Sequence, residues 1–222
     1  MKIEVNGLSF AYPRGGFRLD GVSFAVGSAE AIESGEAVAI TGRNGSGKTT
    51  LGKLLCGLLK QESGTIRFDG QNTSGWTLAQ RGRRIGYLFQ EPARQLFAAT
   101  ALEDLTFTQE LAGASKKEAK ERAMQLLARF ELECIAGQGV HTLSRGEQQR
   151  LAIRGLLLQK PGALVLDEPT TGLDARRKAV LAEALHECLR SGVSVLLISH
   201  DTGFVRANAQ RELRLEGGRL VA

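Results

Sequence analysis

The stretch that decides the fold is AVAITGRNGSGKT, Ala37–Thr49. Its first five residues form a short apolar run that predicts a buried strand, and the residues from Lys48 to about Leu59 have helical spacing. Between them, GRNGSGKT matches the pattern GxxxxGK[ST], whose glycines allow successive backbone N–H groups to face a phosphate. Strand, loop and helix together predict the opening of an α/β domain with a phosphate site.

Two side chains of this loop have chemistry suited to a nucleotide. Lys48 can reach β and γ phosphates, and the Thr49 hydroxyl can ligate Mg²⁺. A glycine-rich turn with a solvated lysine is the simpler alternative, but the flanking strand and helix disfavour it. The loop alone leaves kinases, GTPases and ATPases open as functional classes.

The chain outside this loop falls into three patterns. Alternating segments at 2–10 and 18–26 predict an antiparallel lobe of short strands. Helical spacing in Ala101–Leu111 and Ser115–Phe130 predicts a helical subdomain inserted at about 91–159. From Pro161 onward, strand and helix signals alternate, which indicates parallel strands buried on both faces.

These patterns predict a P-loop NTPase of the α/β class. We expect a mostly parallel central sheet, an N-terminal antiparallel β lobe and an inserted helical subdomain, all within one domain spanning 1–222. In this prediction, residues 1–90 and 160–222 form a RecA-like core with the β lobe, and residues 91–159 form the helical subdomain.

Composition excludes some classes and leaves others open. The longest apolar stretches, such as Val193–Ile198, are far shorter than the roughly 20 residues that cross a bilayer, and the N-terminus lacks a signal-peptide core. We therefore expect a cytoplasmic chain whose three cysteines, Cys56, Cys134 and Cys188, are reduced and structural. The formal net charge of +5 is compatible with nucleic acid or an anionic surface, but basic and acidic residues are interleaved.

Two carboxylates and a histidine follow predicted strands near the C-terminus. Asp167 ends the apolar run ALVLD, and Glu168 comes next, at the edge where open parallel sheets bind ligands. Asp167 can hold the hydration shell of Mg²⁺, whereas Glu168 can orient or deprotonate an attacking water. His200 closes the next strand and can contact the same water. A solvated Asp-Glu turn is the alternative.

A second candidate anion site is LSRGEQQR, Leu143–Arg150. Ser144 can cap a helix, Gly146 permits close approach of the backbone, and helical spacing follows. A helix N-terminus supplies N–H groups and a positive dipole end to an anion. A capped helix whose only task is packing is the alternative.

The motifs GRNGSGKT, LSRGEQQR, LVLDEP, TGLD and ISH, in this order, resemble the nucleotide-binding subunits of ATP-binding cassette (ABC) transporters. The resemblance covers essentially the whole chain and implies ATP and Mg²⁺ as ligands. It implies that ATP contacts the phosphate loop, which consists of Gly42, Arg43, Asn44, Gly45, Ser46, Gly47, Lys48, Thr49 and Thr50.

The resemblance also implies roles for residues outside the loop. Tyr12 would stack on adenine, although a strand-end tyrosine packing a turn is an alternative. Gln90 would meet both Mg²⁺ and the transmembrane partner. Ser144 and Gly146 would form the signature motif, which serves the ATP of the other subunit.

The remaining implied roles concern hydrolysis and assembly. Asp167 would be the metal-side carboxylate, Glu168 the catalytic carboxylate and His200 the switch histidine. Gly172–Asp174 would be the loop that joins two subunits. The expected partner is a second ATPase subunit, as a homodimer or a heterodimer with a paralogue.

The segment Phe89–Phe107, FQEPARQLFAATALEDLTF, is similar to the ATPases of energy-coupling factor importers and the related cobalt and nickel type. This resemblance implies integral-membrane transport subunits, a vitamin or transition-metal ion as cargo, and a peripheral position on the cytoplasmic face of the cell membrane. A soluble ABC ATPase acting on nucleic acid or ribosomes is the alternative; we expect no nucleic-acid partner.

The chain departs from the family pattern at three places. Arg145 and Glu147 replace the usual glycine and glutamine of the signature LSGGQ. Arg145 could strengthen ATP-dependent closure or point to solvent. The turn in Phe24–Glu36 is a few residues longer than is usual in the family.

Overall fold

The structure is a computed structural model that describes residues 1–13, 15–27, 35–111, 113–129 and 132–221. The strands are β1 (Ile3–Ala11), β2 (Arg18–Val26), β3 (Ala37–Thr41), β4 (Ser63–Phe68), β5 (Gln71–Asn72), β6 (Ile85–Leu88), β7 (Ala163–Asp167), β8 (Ser194–Ile198), β9 (Arg211–Glu216) and β10 (Arg219–Val221). The α-helices are α1 (Lys48–Leu55), α2 (Leu78–Gly82), α3 (Ala101–Leu111), α4 (Lys116–Arg129), α5 (Arg145–Leu158), α6 (Ala175–Arg190) and α7 (Thr202–Asn208). Short 3-10 turns occur at Pro92–Gln95, Glu133–Ile135 and Val140–Thr142.

The strands form two sheets. The larger has the order β10-β9-β3-β8-β7-β6, and the smaller has the order β2-β1-β4-β5. In the larger sheet β3 pairs in parallel with β8 and β9, and β7 pairs in parallel with β8. In the smaller sheet β1 pairs antiparallel with β2 and β4. The predicted α/β class, with a mostly parallel sheet and an N-terminal antiparallel lobe, is confirmed.

The parallel strands are buried because their sequences are apolar on both faces. Every residue of β7 and β8 is buried, and so are the first four residues of β3. Strands covered on both faces have near-continuous apolar sequences. The edge at which β3 and β7 end therefore carries the phosphate loop and Asp167.

Helix α1 is shorter than the sequence predicted, since it ends at Leu55 and not near Leu59. Gly57 has φ +77°, a left-handed conformation that stops the helix. The buried guanidinium of Arg81 donates to the carbonyl oxygens of Leu54 and Leu55, both at 3.2 Å. These bonds give the last carbonyls of the helix a charged donor, and the Leu54 carbonyl also accepts from the Gly57 N–H at 3.1 Å.

The chain divides into two compact units. The first contains residues 1–87, 161–170 and 182–222, and the second contains residues 88–160 and 171–181. Both sheets and α1 lie in the first unit. Residues 171–181 belong to the second unit, whereas the sequence assigned them to the core.

The second unit is built on helices α3, α4 and α5. In α4 the buried residues Ala119, Ala123 and Leu127 recur every four positions, which is one face of a helix. Leu105 of α3 and Leu151 of α5 are fully buried in the same unit. The predicted end of α4 at Phe130 lies outside the described residues, and so do residues 28–34 of the turn predicted to be long.

None of the described helices combines the length and the apolar character needed to cross a membrane. All three cysteines are free. Cys56 and Cys188 are buried, as a structural role requires, and burial raises the pKa of the Cys56 thiol. Cys134 is exposed.

Candidate functional site

Lys48 forms hydrogen bonds to two backbone carbonyl groups of its own phosphate loop. The Lys48 ammonium, itself buried, donates to the carbonyl oxygens of Gly42 at 2.8 Å and Arg43 at 3.1 Å. Gly45 and Gly47 have φ of +81° and +106°, a region that favours glycine. The lysine therefore bridges the loop, and glycine conformations make the bridge feasible.

The loop leads into a helix start that is open to an anion. Gly47 is the N-cap of α1, no side chain caps the helix, and its first turn contains no acidic residue. The first N–H groups of a helix lack partners within the helix and, with the dipole, favour an anion. Ser46 adds a buried hydroxyl that has no hydrogen-bond partner in the described part of the chain.

Two aromatic side chains from the N-terminal lobe border the loop. The Tyr12 hydroxyl lies 3.3 Å from the Thr50 hydroxyl, and its ring packs edge-on against Phe10 at a centroid distance of 4.9 Å. Tyr12 is 38% exposed, so a ring face remains available for stacking. Phe17, which the sequence did not single out, lies so close to Gly47 that a Cβ there would be 2.2 Å from its ring.

Asp167 offers one free carboxylate oxygen. Its Oδ2 accepts a hydrogen bond of 2.9 Å from the buried Tyr87 hydroxyl. Its Oδ1 is buried and has no hydrogen-bond partner among the residues described. Burial raises the pKa of the Asp167 carboxyl, and the Thr49 and Tyr87 hydroxyls oppose that rise. An oxygen that is buried and unpartnered suits a hard, oxygen-ligated cation such as Mg²⁺.

Glu168 is held in an uncommon backbone conformation next to Asp167. Its φ is +53°, and its N–H donates to the Ile198 carbonyl at 2.8 Å. The carboxylate oxygen Oε2 lies 2.7 Å from His200 Nδ1 and accepts from the His200 N–H at 3.4 Å. The strands thus bring Glu168 and His200 together, as the sequence predicted for the ends of neighbouring parallel strands.

In the second unit, Gln90 is exposed two residues after β6. The loop that follows is held by Gln95, whose Oε1 accepts from the Phe89 N–H at 2.8 Å. The Thr171–Asp174 loop turns at Gly172, which has φ +76°. Asp174 accepts from the Arg177 N–H at 2.8 Å and so fixes the start of α6.

The signature segment forms the predicted helix start, with one difference. Ser144 is the N-cap of α5, but its hydroxyl donates to Glu147 Oε2 at 2.6 Å and accepts from the Glu147 N–H at 3.4 Å. The hydroxyl expected to be available to an anion is therefore engaged by an internal carboxylate. A Cβ at Gly146 would lie 3.6 Å from Leu173, an ordinary contact, so glycine is not sterically required there. Arg145 is exposed.

The predicted residues fall into two groups by unit. The phosphate loop, Tyr12, Asp167, Glu168 and His200 belong to the first unit. Gln90, Ser144 and Gly146 belong to the second, together with the Gly172–Asp174 loop. The side chains that sequence reasoning missed are Tyr87, Phe17 and the Ser144 partner Glu147. Only Glu147 had a signal, since Ser-x-x-Glu is the capping-box pattern.

Comparison with known proteins gives this geometry a family. The ABC transporter family model matches residues 27–171. The energy-coupling factor transporter ATP-binding protein EcfA of Methanothermobacter thermautotrophicus is 37% identical over 99% of this chain and 70% of its own length. The chain belongs to the ABC transporter family.

Two solved structures have the same fold. The chain matches CbiO1 of Clostridium perfringens, part of the ABC transporter complex CbiONQ, with a TM-score of 0.84 and 30% identity, over 99% of this chain and 86% of that chain. It also matches a dimeric ATP-binding cassette in a post-hydrolysis state, bound to ADP and Pi, with a TM-score of 0.84 and 26% identity, over 99% of this chain and 97% of that one. This chain is an ATP-binding and ATP-hydrolysing subunit of the energy-coupling factor type, as the sequence predicted.

Proposed function

We propose that the chain energises a membrane importer by closing with a second ATPase subunit over two ATP molecules and reopening after hydrolysis. The observation that carries the proposal is the Asp167–Glu168–His200 arrangement. It places one carboxylate with a free oxygen beside a second carboxylate that a histidine holds at 2.7 Å.

Each residue of this arrangement takes one task in the proposal. The phosphate loop, Gly42–Thr50, binds the ATP phosphates through Lys48 and the open start of α1. Thr49, Gln90 and Asp167 would hold Mg²⁺, which would supply positive charge to offset the charge of the phosphates. Glu168 orients and deprotonates the attacking water, and His200 positions the Glu168 carboxylate.

Residues outside the phosphate loop complete the nucleotide-binding site at the adenine and at the γ phosphate. Tyr12 stacks on adenine through its available ring face. Ser144 and Gly146, at the start of α5, bind the γ phosphate of ATP held by the second subunit. That subunit is a second copy or a paralogue. The Gly172–Asp174 loop joins the two subunits, so assembly and hydrolysis are coupled.

The membrane partners dock on the second unit in this proposal. Phe97 and Phe107 are 58% and 45% exposed and pack edge-on at a centroid distance of 4.8 Å. Exposed aromatic pairs are typical of interaction surfaces. Through these partners the chain lies on the cytoplasmic face of the cell membrane, and the cargo, a vitamin or a transition-metal ion, is selected by the partners.

The test is the substitution Glu168→Gln. It removes the base and keeps the size, so turnover falls by about 100-fold or more, while ATP binding persists and a nucleotide-bound dimer accumulates. Phosphate release and sedimentation with ATP measure the two effects. Glu183→Gln on the exposed side of α6 is the matched control and keeps full turnover.

Two results would contradict the proposal. Unchanged turnover in Glu168→Gln would remove Glu168 from its role. Salt-sensitive nucleic-acid binding by the pure chain, with no integral-membrane protein recovered when the chain is purified from membranes, would favour the nucleic-acid alternative.

A further inference from the structure

The two helix starts that the proposed function assigns to phosphate groups, those of α1 and α5, differ in their caps. Helix α1 has no side-chain cap and no acidic residue in its first turn. Helix α5 has both, since Ser144 is its cap and Glu147 lies in its first turn. The first start leaves its donors for a ligand, whereas the second is satisfied by a carboxylate of the chain itself.

Glu147 binds the donors of Ser144, one of the two residues that the proposed function assigns to the γ phosphate. Its Oε2 accepts from the Ser144 N–H at 2.8 Å and from the Ser144 hydroxyl at 2.6 Å. Hydrogen bonds to an ionised acceptor are roughly twice as strong as neutral ones. The side-chain bond from Ser144 is the main reason that the pKa of Glu147 lies below its usual range, so the carboxylate stays ionised.

Two arginine side chains lie near the Glu147 carboxylate. Arg150 on α5 and Arg177 on α6 are close enough to help lower the pKa of Glu147. Arg150 Nε donates to the Gly146 carbonyl at 3.3 Å, and Arg177 pairs with Asp174 at 3.3 Å. If Glu147 leaves Ser144, these guanidiniums are nearby positive charges that stabilise its carboxylate.

We propose that Glu147 is an autoinhibitory residue whose carboxylate occupies the anion position at Ser144 until the γ phosphate of the second subunit's ATP displaces it. The inference rests on the proposed function and adds regulation to the same site. One hydroxyl hydrogen and one N–H cannot serve a carboxylate and a phosphate together, and the two anions repel each other. Glu147 therefore raises the ATP concentration at which the subunits close.

The substitution Glu147→Gln tests the inference in the Glu168→Gln background. Glutamine keeps the length and the hydrogen-bonding groups but removes the charge. The ATP concentration that gives half-maximal dimer, measured by analytical ultracentrifugation, falls by about fivefold, the upper range for one exposed charge interaction. An unchanged midpoint overturns the inference.

Helix α4 supplies a matched control. Glu118 accepts from the Ser115 N–H at 3.1 Å and from the Ser115 hydroxyl at 2.9 Å, the same cap in the same unit. Glu118→Gln leaves the ATP midpoint unchanged, because no anion is proposed to bind there. An equal shift in both variants would mean that only helix capping is being measured, and would overturn the inference.

A second measurement separates this inference from the proposed function. If Glu168→Gln binds ATP but never self-associates, the homodimer in the proposed function fails. Inorganic phosphate titrated into the otherwise unsubstituted chain and into Glu147→Gln then decides the role of Glu147, with the Ser144 amide signal followed by NMR. Phosphate binds about fivefold more tightly to Glu147→Gln by the same charge argument. Equal affinities overturn the inference.

Discussion

At the residue scale, Asp167 shows how one carboxylate can serve both the core and the ligand. Its two oxygens have different environments, because Oδ2 is bonded to Tyr87 and Oδ1 has no partner in the described part of the chain. Burying an ionised carboxylate without donors is costly. The Tyr87 hydroxyl offsets part of that cost and leaves the other oxygen available for the cation of the proposed function.

This division of labour predicts the effect of Tyr87→Phe. The substitution removes the donor to Oδ2 of the buried Asp167 carboxylate, so the free energy of unfolding falls by about 1.5–3 kcal/mol. Urea denaturation without nucleotide measures the change. Tyr12→Phe is the control, since the 3.3 Å bond from its partly exposed hydroxyl to Thr50 joins neutral groups and contributes about 1 kcal/mol or less. Equal losses in the two variants would contradict this account of Asp167.

The position of Glu168 was predictable from the sequence, but its backbone conformation was not. The apolar run ALVLD followed by Glu predicted a carboxylate at the sheet edge, and the structure places it there. Its φ of +53° has no signal in the sequence, because glutamate rarely adopts that conformation. The conformation is imposed by neighbours, including the bond from its N–H to Ile198. Strain of this kind clusters at functional sites.

At the element scale, the phosphate loop depends on a contact that is distant in sequence. Gly47, at φ +106°, starts α1, and the Phe17 ring lies against its Cα. Phe17 precedes β2 and carries no motif, so its position follows from the packing of the N-terminal lobe. Sequence patterns predicted the strand, the loop and the helix, but they could not predict which side chain covers the loop.

The contact predicts that Gly47→Ala is more damaging than Gly45→Ala. Both glycines have positive φ, so each alanine costs about 1–2 kcal/mol of backbone strain. Only at Gly47 does the new Cβ clash, at 2.2 Å from Phe17, whereas nothing lies within 4 Å of a Cβ at Gly45. We therefore expect a larger loss in the free energy of unfolding for Gly47→Ala, measured without nucleotide.

A double variant separates strain from clash. Phe17→Ala in the Gly47→Ala background removes the closest clash and leaves the backbone strain and the 2.9 Å approach to Leu19, so part of the stability returns relative to the two single variants. Additive losses would mean that the ring does not restrict Gly47.

The sequence pattern also predicts some helix ends poorly, because tertiary contacts decide them. Helix α1 was predicted to reach about Leu59 because the apolar spacing continues, but it ends at Leu55. The cause is tertiary, since Gly57 turns the chain and the Arg81 guanidinium binds the last carbonyls. Helix α6, by contrast, begins at a local signal, since the Asp174 side chain accepts from the Arg177 N–H at 2.8 Å.

At the scale of the whole molecule, the order of motifs was more informative than any one of them. The phosphate loop left kinases, GTPases and ATPases open, and the net charge of +5 left nucleic acid open. Five motifs in order restricted the choice to ABC ATPases, and the family comparison confirms it. The order of the motifs could not predict the contacts that each motif makes, such as the hydrogen bond between Ser144 and Glu147.

The exposed aromatic pair of the second unit gives a prediction about assembly. The backbone at Phe97 is restrained, because the buried Asp104 carboxylate accepts from the N–H groups of Phe97 and Ala98 at 2.9 and 3.1 Å. Because the backbone that carries this exposed ring is restrained, ordering the segment against a partner costs less conformational entropy. Phe97 therefore has the properties of an anchor for the membrane subunits in the proposed function.

Phe97→Asp replaces that anchor with a charge that a partner would have to desolvate. We expect the integral-membrane subunits recovered with the tagged chain to fall by about tenfold or more, the loss typical of a central interface anchor. Leu78→Asp is the matched control, since Leu78 is also 58% exposed but lies in the first unit, and it retains the partners. Quantitative mass spectrometry of the purified complexes measures both, and melting temperatures of the two variants show whether each is folded. Equal recovery with Phe97→Asp and Leu78→Asp would place the membrane contact on another surface of the chain.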